Sequence, residues 1–152
     1  MTPSTSERNT ATFLHLSTLT QYLIPFGNYI LPIIIWSAKK NESTFVDSNG
    51  KNVLNFQLSM LLYSLLALII IIPIFIYSVI KGIVINNIEE GEDFIVENLS
   101  FENASGFVIL GIIVFLVFCF IKIVEFILII YGSVKASNGE AYKYPLTISF
   151  IK

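Results

Sequence analysis

Lys122 and Glu125 are the two residues of this chain whose types and spacing best fit chemistry. Three residues apart on a helix, they lie on one face and can touch. They fall near the middle of an apolar stretch, Phe107 to Val134, where an isolated charge costs about 2.5–3.5 kcal/mol by insertion scales. Such a pair has to face protein or water. It could serve as an ion or proton relay, or as a neutralised polar lock that fixes its helix in a bundle. The lock is the favoured reading, because a salt-bridged pair keeps no free group to titrate.

His15 stands with Ser17, Thr18 and Gln21 in a polar stretch. No second histidine and no nearby carboxylate accompanies it at ligand spacing, so it reads as a hydrogen-bonded interior or interfacial histidine rather than a zinc ligand. Asn52, Asn55 and Ser59 recur at helical spacing, with Gln57 one face away. Together with Asn28 they suggest a polar bundle interior held by inter-helix hydrogen bonds of about 0.6 kcal/mol each; a polar substrate path is the sharper alternative. No nucleophile elbow, metalloprotease helix, P-loop or dinucleotide fingerprint occurs. The single cysteine, Cys119, sits between Phe118 and Phe120 and reads as a core thiol. No catalytic residue, cofactor or metal is expected. The acidic segment from Asn86 to Asn103 lacks the register of a calcium loop. It reads as a solvated connection, with Phe94, Ile95, Val96, Leu99 and Phe101 able to lie on the membrane surface.

The elements that position these residues follow from composition. Of 152 residues, 55% are apolar and 13% charged, against roughly 25% charged in an ordinary soluble protein. Mean hydropathy is +0.76 and the pI is near 5.3. A soluble enzyme, a nucleic-acid binder and a disordered tail are thereby excluded. The fold class expected is an all-α integral membrane protein with about three transmembrane helices: residues 1–12 form a flexible tail, and residues 13–152 a single membrane domain. The run from Asn52 to Ile80 carries no charge and exceeds the roughly 20 residues that cross ~30 Å of hydrocarbon; Pro73 should kink it. Residues 53–80 and 107–134 are two spans. The first block, 13–36, is interrupted at Pro25-Phe26-Gly27-Asn28, where proline and glycine break a helix. It forms either one interrupted span or a re-entrant hairpin, and its break has to be packed inside protein.

Lysine placement orients the spans. Residues 37–52 hold Lys39, Lys40 and Lys51, and the tail from 135 holds Lys135, Lys143 and Lys152; the connection 81–106 holds only Lys81 among six acidic residues. The positive-inside bias places the first two segments in the cytoplasm and the acidic connection outside. The N-terminus lies outside if the first block spans, and inside if it is a hairpin.

Several short motifs carry a family resemblance: His15-Leu16-Ser17, Pro25-Phe26-Gly27-Asn28, Pro32, Trp36, Phe45-Val46-Asp47, Gly50-Lys51, Leu54-Asn55-Phe56-Gln57, Lys135-Ala136, Gly139-Glu140 and Tyr142 with Tyr144-Pro145-Leu146. On these the chain resembles small bacterial membrane proteins grouped as domain of unknown function forty-eight seventy, themselves similar to the twenty-kilodalton subunit of the chloroplast inner-envelope translocon (Tic). The resemblance implies a multi-pass protein of the bacterial inner membrane, with a role in translocating or assembling proteins. The expected function is that of a non-enzymatic accessory subunit of a larger membrane complex, in contact with membrane lipids and with other integral membrane proteins or copies of itself. A small transporter or channel, using the broken first block and the Lys122/Glu125 pair, is the alternative.

Overall fold

The computed structural model describes residues 2–90 and 101–152, with side chains described at 2–77, 109 and 111–152. Among these the regular structure is helical throughout: α1 (Thr5–Ser17), a 3-10 turn (Thr18–Tyr22), α2 (Gly27–Lys39), α3 (Thr44–Glu90) and α4 (Phe101–Ser137). The tail beyond α4 has no regular secondary structure.

The N-terminal segment differs from the sequence expectation. Residues 5–12 are not a tail but most of α1, nucleated by a capping box. The Ser4 hydroxyl accepts from the Glu7 backbone N–H (3.3 Å), and Glu7 Oε2 accepts from the Ser4 N–H (2.7 Å). Two otherwise orphaned donors are satisfied reciprocally. The break in the first block is also wider than Pro25–Asn28, because the 3-10 turn begins at Thr18.

Helices α1 and α2 have 13 residues each, about 20 Å at 1.5 Å per residue, so neither crosses ~30 Å of hydrocarbon by itself. Among the described residues two stretches are long and apolar enough to do so, Thr44–Tyr77 and Gly111–Ser137; the first block is not one of them. Helix α3 begins at Thr44, well before the expected start at residue 53, which shortens the loop expected at 37–52 to residues 40–43. Pro73 lies inside α3, which continues to Glu90. The acidic connection expected at 81–106 is helical at both ends; its centre, 91–100, lies outside the described residues.

The chain divides into two compact units, residues 64–121 and a second formed by 1–63 with 122–152. In the first unit most of the described side chains are exposed, Ile69, Tyr77 and Phe120 each by about two-thirds, while Val114 and Cys119 are half-buried. The second unit has the core. Val53, Phe56, Ile129 and Tyr144 are buried together, flanked by Leu19, Met60, Leu128 and Tyr142. Phe56 stacks on Tyr144 at 4.1 Å between centroids, and Tyr142 meets Tyr144 edge-on at 4.9 Å.

Two close approaches fix the frame of this unit. The Trp36 ring of α2 lies over Gly50 of α3, where a Cβ would stand 2.7 Å from Trp36 Cγ; the indole N–H donates to Asp47 Oδ1 at 2.9 Å. The C-terminal tail lies along one stripe of α3. Asn55 Oδ1 accepts from the N–H groups of Phe150 (3.0 Å) and Ile151 (2.8 Å), while its amide donates to the Ile151 carbonyl (3.0 Å). Ser59 Oγ accepts from the Ile148 N–H (2.8 Å), and the Tyr63 hydroxyl donates to the Leu146 carbonyl (2.8 Å). The positions i, i+4 and i+8 of one helix face thus read out a peptide backbone.

Replacing the buried Asn55 with alanine removes three hydrogen bonds to that backbone. Each buried group left unsatisfied costs about 1–3 kcal/mol. Asn55→Ala is expected to lower the thermal midpoint in detergent and to speed tryptic cleavage after Lys143; Tyr63→Phe, which loses one exposed bond, should do so far less.

Candidate functional site

The interior of the terminal unit contains three polar clusters, each closing contacts between segments distant in sequence. The first centres on His15 of α1, which is fully buried. Its Nε2 lies 3.0 Å from Asn49 Oδ1, and its Nδ1 lies 2.6 Å from the Tyr144 hydroxyl. Asn49 uses its amide N–H on the Phe45 carbonyl (2.9 Å), which turns Oδ1 toward the histidine. The proton pattern then has one solution: Nε2–H donates to Asn49, and Nδ1 accepts from the Tyr144 O–H. The histidine is neutral. Burial pushes its pKa down to about 4 and raises that of the Tyr144 phenol, because a dry site disfavours the charged form of each. Gly132 of α4 makes room for the pair. A Cβ there would stand 2.8 Å from His15 Nδ1 and 2.9 Å from the Tyr144 oxygen.

The second cluster joins the 3-10 turn to α4. Lys122 Nζ contacts Glu125 Oε2 at 2.8 Å, Gln21 Nε2 donates to Glu125 Oε1 at 3.1 Å, and Lys122 Nζ reaches Gln21 Oε1 at 3.5 Å. The three side chains form a closed ring. The glutamate is 1% exposed and the lysine 35%, so the ring places the carboxylate inside and the ammonium at the edge. Both carboxylate oxygens are engaged, an arrangement suited to holding a charge still.

The third cluster joins α2 to α3. Asn28 Nδ2 donates to Gln57 Oε1 at 2.7 Å, and the Tyr29 hydroxyl donates to the Gln57 carbonyl at 3.2 Å. Gln57 is fully buried, and its Nε2 has no hydrogen-bond partner.

The structure therefore brings His15, Gln21, Asn28, Gln57, Lys122 and Glu125 into one polar interior, as three separate contacts. Asn55 and Ser59 are buried too, but they bind the tail's backbone rather than another helix. Pro25 and Gly27 stand at the break, but the break is not packed inside protein: the Leu23, Ile24, Pro25 and Phe26 side chains are exposed, while Gly27 and Asn28 are buried. The left-handed residue is Phe26 (φ 61°), while Gly27 permits a close approach: a Cβ would lie 2.6 Å from Thr20 Oγ1 and 2.8 Å from the Thr20 carbonyl oxygen. Asn49, Tyr63, Gly132 and Tyr144 were not singled out as site residues from the sequence. Nothing local pairs residue 15 with residue 144. Among the described residues no group of three or more His, Cys, Asp or Glu could hold a metal ion.

The model of the magnetosome magnetite crystal formation protein family (MamF/MmsF) matches residues 6–151. No curated protein and no solved structure matches the chain. The family match overturns the resemblance drawn from the short motifs: the family is the magnetosome one, not domain of unknown function forty-eight seventy, and no relation to the chloroplast translocon is supported.

Two outcomes follow from this geometry. Because His15 is neutral in the folded protein down to about pH 4, whereas an exposed histidine protonates near 6.5, the unfolded chain binds the extra proton between those values. Stability is full above pH 6.5 and falls as the pH is lowered toward 4, and the acid limb of a thermal-midpoint titration should flatten in His15→Gln. In the ring, breaking a buried pair costs roughly 3–5 kcal/mol in soluble proteins, with less expected here because the lysine is partly exposed. Lys122→Ala leaves the buried carboxylate without its cation and should destabilise more than Glu125→Ala. The double leucine replacement should recover much of the loss, as read by thermal unfolding in detergent.

Proposed function

We propose that this chain, which belongs to the magnetosome magnetite crystal formation protein family, is a non-enzymatic accessory protein of the bacterial inner membrane. It crosses the membrane twice, through α3 and α4, and works by assembling with other integral membrane proteins or with copies of itself. One observation carries this reading: burial is inverted with respect to a soluble protein. The most apolar windows of α3 and α4 are only 6% and 11% buried, while His15, Asn49, Gln57, Ser59 and Glu125 are almost wholly enclosed. The core helix of a soluble protein buries its apolar face. Here those faces need an apolar surrounding, which lipid supplies without any driving force of its own for helix association.

The accessory role is supported by the kind of contact the interior makes. The polar clusters each join two or three segments and end in a neutral or charge-balanced state, which suits a scaffold that holds helices in place. The family's description supports magnetite crystal formation as the process that the assembly serves. The orientation follows the lysines: the segment between α2 and α3 and the tail face the cytoplasm, and the acidic connection faces outward.

In a Cys119→Ser background, Asn41→Cys and Asn98→Cys should be labelled by an impermeant thiol reagent from opposite sides of the membrane. Labelling from the same side would contradict the two-span orientation. Purification in mild detergent should yield a stoichiometric partner or a defined oligomer; a monodisperse monomer from native membranes would contradict the accessory reading.

A further inference from the structure

The N-terminal helix pair has the properties of a wedge that enters a membrane and leaves by the same face. No formally charged side chain lies between Arg8 and Lys39, and the one histidine in that interval is buried. At the open end of the pair stand Glu7, Arg8, Lys39, Lys40 and Glu42, with Lys40 Nζ 4.7 Å from the Trp36 ring centroid. A tryptophan beside lysines is the usual signature of a headgroup boundary. At the closed end the turn is apolar and faces outward: Leu23 is 83% exposed, Phe26 68% and Ile24 57%. Three large apolar side chains at the tip of a structure otherwise closed by polar bonds require an apolar surrounding.

Two separate lengths set the depth of this tip. Helix α2 places it about 20 Å from Lys39. Along α4, Glu125 precedes the helix end at Ser137 by twelve residues, about 18 Å, and Gln21 beside the tip bonds to Glu125. At the other end of the same alignment a Cβ on Gly139, just past α4, would stand 3.1 Å from Pro3 Cγ and 3.4 Å from Arg8 Cδ. The start of α1 therefore sits at the end of α4, and the tip sits beside Glu125. About 18–20 Å exceeds half of a ~30 Å hydrocarbon layer and falls short of its whole.

We infer that α1, the 3-10 turn and α2 form a re-entrant membrane hairpin whose tip, Tyr22 to Phe26, is covered by lipid acyl chains, with both ends of the hairpin on the side that bears the C-terminal tail. This rests on the reading that α3 and α4 span a bilayer. The Gln21–Glu125 contact ties the hairpin to α4 at membrane depth, and the turn bonds its own backbone: the Leu23 and Ile24 N–H groups donate to the Thr20 carbonyl and the Gly27 N–H to the Ile24 carbonyl, so these groups are satisfied without protein packed around the tip.

The full-length protein carrying Cys119→Ser, reconstituted in phosphatidylcholine–phosphatidylglycerol vesicles, tests this with a fluorophore on one introduced cysteine at a time: Leu23→Cys at the tip, Ile123→Cys on the exposed face of α4 as the spanning reference, and Asn41→Cys as the aqueous reference. Lipids brominated on the acyl chain should quench the Leu23 label to a degree comparable with the Ile123 label, and the Asn41 label weakly. Protease added to oriented vesicles should remove N-terminal and C-terminal tags from the same side. A Leu23 label quenched by aqueous iodide instead would overturn the hairpin while leaving the spans intact. Tags cleaved from opposite sides would overturn it in favour of a third span. Loss of lipid quenching at Ile123 would remove the membrane reading itself, and the hairpin with it.

Discussion

A histidine shut away from solvent has to find a donor for one ring nitrogen and an acceptor for the other, and His15 finds them at Tyr144 and Asn49. That requirement organises the terminal unit. It draws the end of the chain back to its beginning, places Tyr144 where it can stack on Phe56, and demands glycine at position 132 of α4. A buried polar group left without a partner costs more than most single apolar contacts return. The arrangement is therefore specified as much by the polar contacts as by the small apolar core of Val53, Phe56, Ile129 and Tyr144.

The same constraint explains why the polar residues lie inside and the apolar ones outside. Lipid competes with helix–helix apolar contacts but offers nothing to an amide or a carboxylate. Gln21, Asn28, Gln57 and Glu125 are consequently worth most where they are, in contact with one another and away from hydrocarbon. The tail extends the principle to the backbone, since Asn55, Ser59 and Tyr63 supply one face of α3 as a template for peptide groups. A membrane protein built this way presents lipid-compatible surfaces along its spans and keeps its specificity in a polar interior.

Much of this was legible in the residues, and what was not has physical causes. The apolar runs of α3 and α4 announced themselves by length and by the absence of charge. The Lys122–Glu125 contact followed from helical spacing alone. The first block misled for a definite reason: its apolar total reaches a span's worth, but the total is divided between two 13-residue helices by Thr18–Phe26, and neither half crosses. The Ser4-to-Glu7 capping box was present in the sequence and would have placed the start of α1 correctly. The partners of His15 were out of reach, because Asn49 and Tyr144 lie 34 and 129 residues away, and no local pattern encodes such a contact. Asn55 and Ser59 showed the right spacing but the wrong partner, since a helix face of hydrogen-bonding side chains does not distinguish a neighbouring helix from an extended backbone.

The polar contacts of the terminal unit centre on His15, whose two ring nitrogens join α1 to α3 and to the tail. The chain has one histidine, so its imidazole nitrogen resonances are unambiguous in a ¹⁵N NMR spectrum of the protein in bicelles or nanodiscs. The account predicts a single fixed tautomer, protonated on Nε2 and unprotonated on Nδ1, that persists without titration between pH 7 and pH 5. Averaged tautomers, or a histidine that protonates near its ordinary value of about 6.5, would contradict it.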